Sequence, residues 1–439
     1  MSARRVVVIG GGAGGMLAAG RAAELGADVT LLEKMDRTGR KVLVSGNGRC
    51  NLSNTLEINQ FITMFGPNGR FLYPAFQHFF RDDLLKLLAR SGIQTFADPD
   101  GRIFPVSGKS ADIVKALEKY LSGNGVTVIT GAKVTAVEFA GGTVTGAKTA
   151  TADNRADAVV LATGGASYPQ TGSTGDGYRM AEKLGHSVTR LRPALVPLVV
   201  TDKRGAAVLQ GISLPDVRLT SFACRAADIE ASAAPRADRG RGLGTGRPRP
   251  PIIESRRGSI IFTHYGLSGP AALLMSLAAV DALAAGPVSL AVDLVPGKPF
   301  PQLSEDLKES TNAKGGRRIK SVLHELLPDR VIRAVLAGAG MPAEIKAGQA
   351  TARQRQAIAY ALKGLAFDVE GTGPLKEAMV TAGGVSLKEV DPRTMQSKII
   401  RGLYFCGEVL DLDADTGGFN LQAAFSTGYL AGECAARGR

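Results

Sequence analysis

Along the chain, continuous apolar runs end repeatedly in glycine clusters. Arg4 to Ile9 contains VVVI, too uniformly apolar for a strand with one wet face, and predicts a strand buried on both sides. Gly14 to Gly26 has helical spacing, and Ala27 to Glu33 predicts a second strand. Strand, glycine turn, helix, strand is a βαβ unit, whose crossover is right-handed in a parallel sheet. Asp157 to Ala162 repeats the pattern and ends near Gly164 and Gly165. Gly402 to Cys406 does so again, meeting Gly407 and then a long helical pattern that runs to the C-terminus.

Between these pieces the grammar changes. Leu195 to about Leu294 holds β-rich segments such as LVPLVV and PVSLAVDLV, without the glycine-turn-helix order. From about Phe300 to Lys363, KSVLHELL and VIRAVL place apolar residues three and four apart, as helices do. The expected class is therefore α/β. A Rossmann-like dinucleotide-binding domain is assembled from 1–194 plus 374–439, around a β-rich insert at 195–299 and a small helical domain at 300–373. The stretch 231–258 has seven arginines against Asp238 and Glu254, with many prolines and glycines. It reads as a mobile, solvated loop, with an arginine-rich nucleic-acid contact as the second reading.

Composition narrows the class. With 439 residues, 44% of them hydrophobic, the chain can bury a large core and divide into two or three compact units. Cys50, Cys224, Cys406 and Cys434 form no CxxC pair, so neither a metal site nor a disulfide framework is expected, and a reducing cytoplasm fits. The N-terminal apolar run enters five glycines within six residues, unlike a signal peptide. The apolar stretch from Ala271 to Ala285 is short and broken by Asp281, so no membrane span is expected. The formal charge of +13 has two readings: solubility together with an anionic cofactor, or a polyanionic substrate such as RNA.

The candidate chemistry lies in the glycine clusters. Gly10, Gly12 and Gly15 stand in GxGxxG register between a strand and a helix, with Ala13 and Gly14 opening that helix. Gly10 permits the tight turn, Gly12 leaves room for a diphosphate, Gly15 lets helix and strand pack, and the helix start faces the phosphates with free N–H groups. Glu33, 18 residues after Gly15 and followed by Lys34, is placed to accept hydrogen bonds from ribose hydroxyls and to reject a 2′-phosphate. This fingerprint serves FAD and NAD alike. FAD is favoured by the C-terminal segment, in which Gly407 and Glu408 follow a strand and Gly417, Gly418, Phe419, Asn420 and Leu421 open a helix whose positive end would steady charge on a reduced flavin. A third cluster, GRKVLVSGNGRCNLSN, looks built to lie against a ring system. Within it Arg49 and Asn51 offer donors, while Cys50 reads as a packed thiol or, alternatively, a proton donor.

Taken together, VVVIGGGAGG, SGNGRCN, GRIFPVSGKSADIV, ATGGASYPQTGSTGDGY, FTHYGLSGPAAL, TAGGV and CGEVLDLDADTGGFNLQAAFSTGYLAG resemble the BaiN-like (YhiN-like) bacterial flavoproteins, which include ribosomal-RNA dihydrouridine synthases. The segments span essentially the whole chain in the family's order. The resemblance implies a discontinuous FAD domain, a β-barrel-like insert, a small helical domain and NAD(P)H-driven reduction of a conjugated C=C bond. Carried over residue by residue, it places flavin contacts at Gly10 to Gly15, Glu33, Lys34, Lys41, Ser45, Gly46, Arg49, Cys50, Asn51, Thr163, Gly164, Gly407, Glu408 and Gly417 to Leu421. The arginine- and proline-rich stretch departs from the family's short connection at that point.

Hydride transfer to carbon requires a proton source, for which His264 and Tyr265 in THYGLSG are the candidates; a turn-stabilising role is the competing reading of His264. No second strand-anchored GxGxxG is present, so NAD(P)H as donor follows from the resemblance alone. The substrate reads as a uridine of large-subunit rRNA or a small unsaturated metabolite. A non-catalytic flavin-containing RNA-binding protein is the further alternative, and a monomer is the favoured state.

Overall fold

The computed structural model describes residues 3–233 and 250–439. They form two compact units, Met1–Ala194 with Leu375–Arg439, and Leu195–Pro374.

In the first unit, strands β1 (Arg5–Ile9), β2 (Asp28–Leu32), β3 (Thr127–Ile129), β4 (Ala158–Leu161) and β5 (Leu403–Phe405) form a parallel sheet in the order β5-β4-β1-β2-β3. Val6 to Ile9 are all buried, as a central parallel strand requires. Helix α1 (Ala13–Glu24) follows β1, α2 (Arg40–Val44) follows β2, and α3 (Phe419–Arg437) ends the chain. Helices α1 and α3 meet backbone to backbone. A Cβ on Gly428 would lie 2.2 Å from Gly14 O, and one on Gly432 would lie 2.1 Å from Ala18 O. Because 428 and 432 share one helix face, two glycines four residues apart open the whole contact. Where the chain leaves and re-enters this unit, Arg192–Ala194 pairs antiparallel with Val380–Ala382, which fixes the position of Thr381.

In the second unit, six strands close into an antiparallel barrel, in the order Leu198–Val200, Gly266–Ser268, Ile252–Phe262, Ser213–Phe222, Val288–Asp293 and Leu365–Thr372. The apolar stretch after residue 270 is the helix Pro270–Leu283, which touches all six strands and buries Ala271, Ala272, Met275 and Ala279. No described helix is long and apolar enough to cross a membrane. Four further helices, Phe300–Ala313, Ile319–Leu323, Asp329–Gly338 and Ala352–Lys363, share the apolar core of the barrel.

Two features differ from the sequence reading. Leu365–Thr372, inside the stretch read as helical, is a barrel strand: Gly364 ends the preceding helix, and Leu365 to Val369 then pair with Val288–Val292. Ile252 to Gly258, read as part of a loop, belong to an 11-residue strand whose buried Ile260 and Phe262 anchor it to Ser213–Phe222. Residues 234–249 of the arginine-rich stretch lie outside the described residues.

The tight helix contact makes a direct prediction. Gly432→Val should lower stability by about 1–3 kcal/mol through overpacking, which for a unit of this size is a fall in Tm of roughly 3–10 °C. Thermal unfolding followed by circular dichroism measures it. An unchanged Tm would show that the helices separate at no cost.

Candidate functional site

The site begins where β1 ends. Gly10 donates its N–H to Leu32 O at 2.8 Å and adopts φ +105°, and a Cβ there would lie 2.5 Å from Ala162 O. A Cβ on Gly15 would lie 1.9 Å from Gly10 O, so this glycine is needed for the close approach of helix and strand. Gly12, the N-cap of α1, is different, because nothing lies within 4 Å of where its Cβ would be. The first helical bond runs from Met16 N to Gly12 O, leaving the amides of Ala13, Gly14 and Gly15 without intrahelical partners beside that open space. Such a helix start is an anion site.

Glu33 lies alongside. Its carboxylate is buried, with Oε2 accepting from Gly11 N at 2.7 Å and Oε1 from Met35 N at 2.8 Å. Both oxygens are therefore fixed and retain lone pairs for ribose hydroxyls. Lys34 reaches elsewhere, donating to Thr174 Oγ1 and Asp176 Oδ2, each at 2.6 Å. Burial opposes charge on Asp176, yet Lys34, Thr174 and Arg179 hold its carboxyl below the usual range. After β4, Gly164 has φ +70°, and the Oγ1 of Thr163 is buried with no protein partner.

The C-terminal segment joins this region through residues far apart in sequence. Gly407, two residues beyond β5, donates its N–H to Thr427 Oγ1 at 3.0 Å. Glu408 accepts from Lys41 Nζ at 2.6 Å, Thr381 N at 2.9 Å and Ser167 Oγ at 3.2 Å, and Lys41 also donates to Ser167 Oγ at 2.8 Å. Burial pushes the Glu408 carboxyl up, but Lys41 and the two donors outweigh it and hold the group below the ordinary carboxylate range. At the start of α3, Gly418 has φ +90°, and a Cβ there would lie 2.3 Å from Ser53 O. With its amide oriented to satisfy both neighbours, Asn51 accepts from Gly418 N at 2.9 Å and donates to Ser53 O at 3.1 Å. Asn54 Nδ2 donates to Gly417 O at 3.2 Å. The loop around 45–54 thus clasps the glycine turn that opens α3.

The structure sorts the expected contacts by what each group has left to offer. Gly418 N is committed to Asn51, so the unpaired amides of the first turn of α3 are those of Phe419, Asn420 and Leu421. The Phe419 ring is buried edge-on to Phe61 at 4.8 Å, and the Asn420 side chain is bound to Ala414, accepting from its N and donating to its O. Lys41 is occupied by Glu408 and Ser167, and the Arg49 guanidinium lies 4.6 Å over the Phe104 ring. Ser45 Oγ donates to Val42 O, and Gly46 takes a left-handed conformation. Cys50 is fully buried, and its thiol is pushed up to about 12 by burial, with a Ser45 contact opposing, so it stays protonated. His264 and Tyr265 sit in the second unit, in a turn closed by Thr263 N to Gly266 O at 2.8 Å; the imidazole is exposed and edge-on to the phenol at 4.5 Å. Ser167, Thr381 and Asn54 were not singled out from sequence. Ser167 follows Gly164 in the same loop, and Thr381 opens the TAGGV segment that belongs to the family resemblance.

These residues fit a dinucleotide. The open side of Gly12, the orphan amides of α1, the fixed Glu33 carboxylate and the unpartnered Thr163 hydroxyl suit a diphosphate and its ribose. Fold and site define a Rossmann-type dinucleotide-binding protein. The model of the HI0933-like protein Rossmann domain matches residues 4–434, and the chain belongs to that family. It is 31% identical to a 3-dehydro-bile acid delta(4,6)-reductase of Clostridium scindens, over 98% of this chain and 99% of that protein. It is 29% identical to a ribosomal RNA dihydrouridine synthase of Haemophilus influenzae, over 96% of each. A solved open conformation of a flavocytochrome c3 fumarate reductase shares the fold, with a TM-score of 0.50 and 18% identity, covering 99% of this chain and 78% of that one.

Glu408→Gln tests the junction. It leaves Lys41 half-buried and unpaired and should cost about 2–3 kcal/mol at neutral pH, less than a fully buried pair because both side chains keep some exposure. The folded Glu408 carboxyl titrates below its unfolded value, so its contribution is complete above roughly pH 4.3 and is lost as pH falls through the folded value. Denaturant unfolding from pH 7 to 3 should show the gap between wild type and variant narrowing in that acid range. A gap independent of pH would contradict the assignment.

Proposed function

We propose that this chain is an FAD-dependent reductase that adds hydride to a conjugated C=C bond, with NAD(P)H as electron donor. The observation that carries the reading is the presence in one unit of two glycine-led helix starts with unpaired amides, α1 after β1 and α3 beyond β5, with the Glu33 carboxylate fixed beside the first. Reduction of a ring double bond is also the chemistry common to the printed names of the two relatives.

FAD bound here would supply hydride transfer. The amides of Ala13, Gly14 and Gly15 would hold its diphosphate, and Glu33 its ribose. The amides of Phe419, Asn420 and Leu421, at the positive end of a 19-residue helix, would stabilise negative charge gathering on the reduced ring. Lys41 and Glu408 position the loops rather than touch the ligand. The carbon next to the hydride acceptor needs a proton, for which we assign His264 and Tyr265, while Cys50 is left to packing.

A uridine of large-subunit rRNA is the first substrate reading, supported by the +13 charge and the dihydrouridine synthase relative. A small unsaturated metabolite is the second, supported by the full-length bile acid reductase relative. Anaerobically reduced protein, mixed with rRNA fragments or with cyclic enones, separates the two. Rapid flavin reoxidation with a gain of two hydrogens in uridine supports the first, and reoxidation by enones alone supports the second. Indifference to both would overturn the reductase. With the responsive substrate, His264→Gln and Tyr265→Phe should slow reoxidation by about 10²–10⁴-fold at unchanged FAD content; rates equal to wild type would remove their role.

Gly12→Asp isolates the cofactor site. Gly12 has φ −81° and ψ −172°, open to any residue, and Asp is a good N-cap, so the protein should fold with equal or slightly higher stability. A carboxylate in the diphosphate position should weaken FAD binding by at least about 100-fold, read as loss of the yellow chromophore. A folded, fully yellow variant would contradict the assignment.

A further inference from the structure

The helical part of the second unit carries a basic ridge that dinucleotide chemistry does not use. Segments 312–320 and 342–353 hold Lys314, Arg317, Arg318, Lys320, Lys346 and Arg353, against the single carboxylate of Glu344. The backbone joins the two segments. Ala347 N donates to Arg317 O at 2.8 Å, Gly348 N to Gly315 O at 3.0 Å and Ile319 N to Ile345 O at 2.9 Å, and Arg318 stands opposite Lys346 in an antiparallel bridge. The approach is close, since a Cβ on Gly348 would lie 3.1 Å from Gly315 Cα.

The cations divide into two sets. Lys314, Arg318 and Lys320 are matched by Glu325, Glu344 and Asp329. Arg317, Lys346 and Arg353 are exposed, and no ion pair among the described residues involves them. The same two segments also expose the backbone of Gly316 and the side chains of Asn312 and Gln349. No large hydrophobic side chain is exposed in either segment, as insertion into a membrane surface would require. Guanidinium and ammonium groups with peptide and amide donors, free of apolar residues, match a sugar-phosphate backbone.

We propose that this ridge is a contact surface for the phosphate backbone of RNA. The inference rests on the reading that the substrate uridine belongs to an RNA, and it locates binding in residues that the sequence pattern assigned only to helices and their connections. The test is fluorescence anisotropy of a labelled uridine-containing RNA stem-loop with the full-length protein at several KCl concentrations. The charge-reversal variant Arg317→Glu/Lys346→Glu/Arg353→Glu is compared with wild type, and the milder Arg317→Gln/Lys346→Gln/Arg353→Gln guards against misfolding. Affinity should fall at least about tenfold, and the slope of log K against log salt should flatten by about 2–3, one step per lost phosphate contact. Unchanged affinity and slope in a folded variant would overturn the ridge, as would wild-type binding to anionic lipid vesicles but not to RNA. The uridine reading fails separately, if reduced wild-type protein transfers no hydrogens to rRNA; the binding comparison does not depend on turnover.

Discussion

Helix α3 rests backbone against backbone on α1 at two points, Gly428 against Gly14 and Gly432 against Ala18. An added methyl group at either glycine would fall inside a carbonyl oxygen, so the last helix of the chain has one depth at which it can sit. That depth sets the rest of the first unit. Gly407 is tied to Thr427 on the same helix, and the turn at Gly417 and Gly418 is brought against Ser53, Asn51 and Asn54. The helix start that the N-terminal strand presents and the one that follows β5 therefore belong to a single rigid arrangement, built by close packing before any electrostatic term is added.

Charge then fixes the loops. Glu408 is held by groups from three other segments, Lys41 after β2, Ser167 after β4 and Thr381 near the second chain crossing. A carboxylate largely withdrawn from water is stable only with its lone pairs filled, and losing Lys41 leaves an uncompensated charge. The network therefore acts as a lock on loop geometry rather than as a source of large net stability. Glu33 is treated in the same way on a smaller scale, its two oxygens pinned by backbone amides so that it presents a fixed acceptor.

How much of this was readable follows from the range of each interaction. Strands β1, β2, β4 and β5 and the glycine turns were legible because apolar continuity and glycine spacing are local, and because Gly15 faces Gly10 within its own βαβ unit. The destination of long side chains was not. The family resemblance places Lys41 at the ligand, yet its amine is committed to a carboxylate 367 residues away. Arg49 reads as a free donor and stacks on Phe104, a partner that only the folded loop supplies. Leu365–Thr372 was hidden for a related reason: a single strand directly after a helix has little pattern of its own, and its identity comes from the barrel neighbours it pairs with.

The central claim is that the two ends of the chain form one FAD site, and amide hydrogen exchange tests it most directly. On adding FAD to the apoprotein, the account predicts that amides at 13–15 and those at 419–421 gain protection together, at the same FAD concentration. Protection confined to one of these segments, or absent from both, would contradict it.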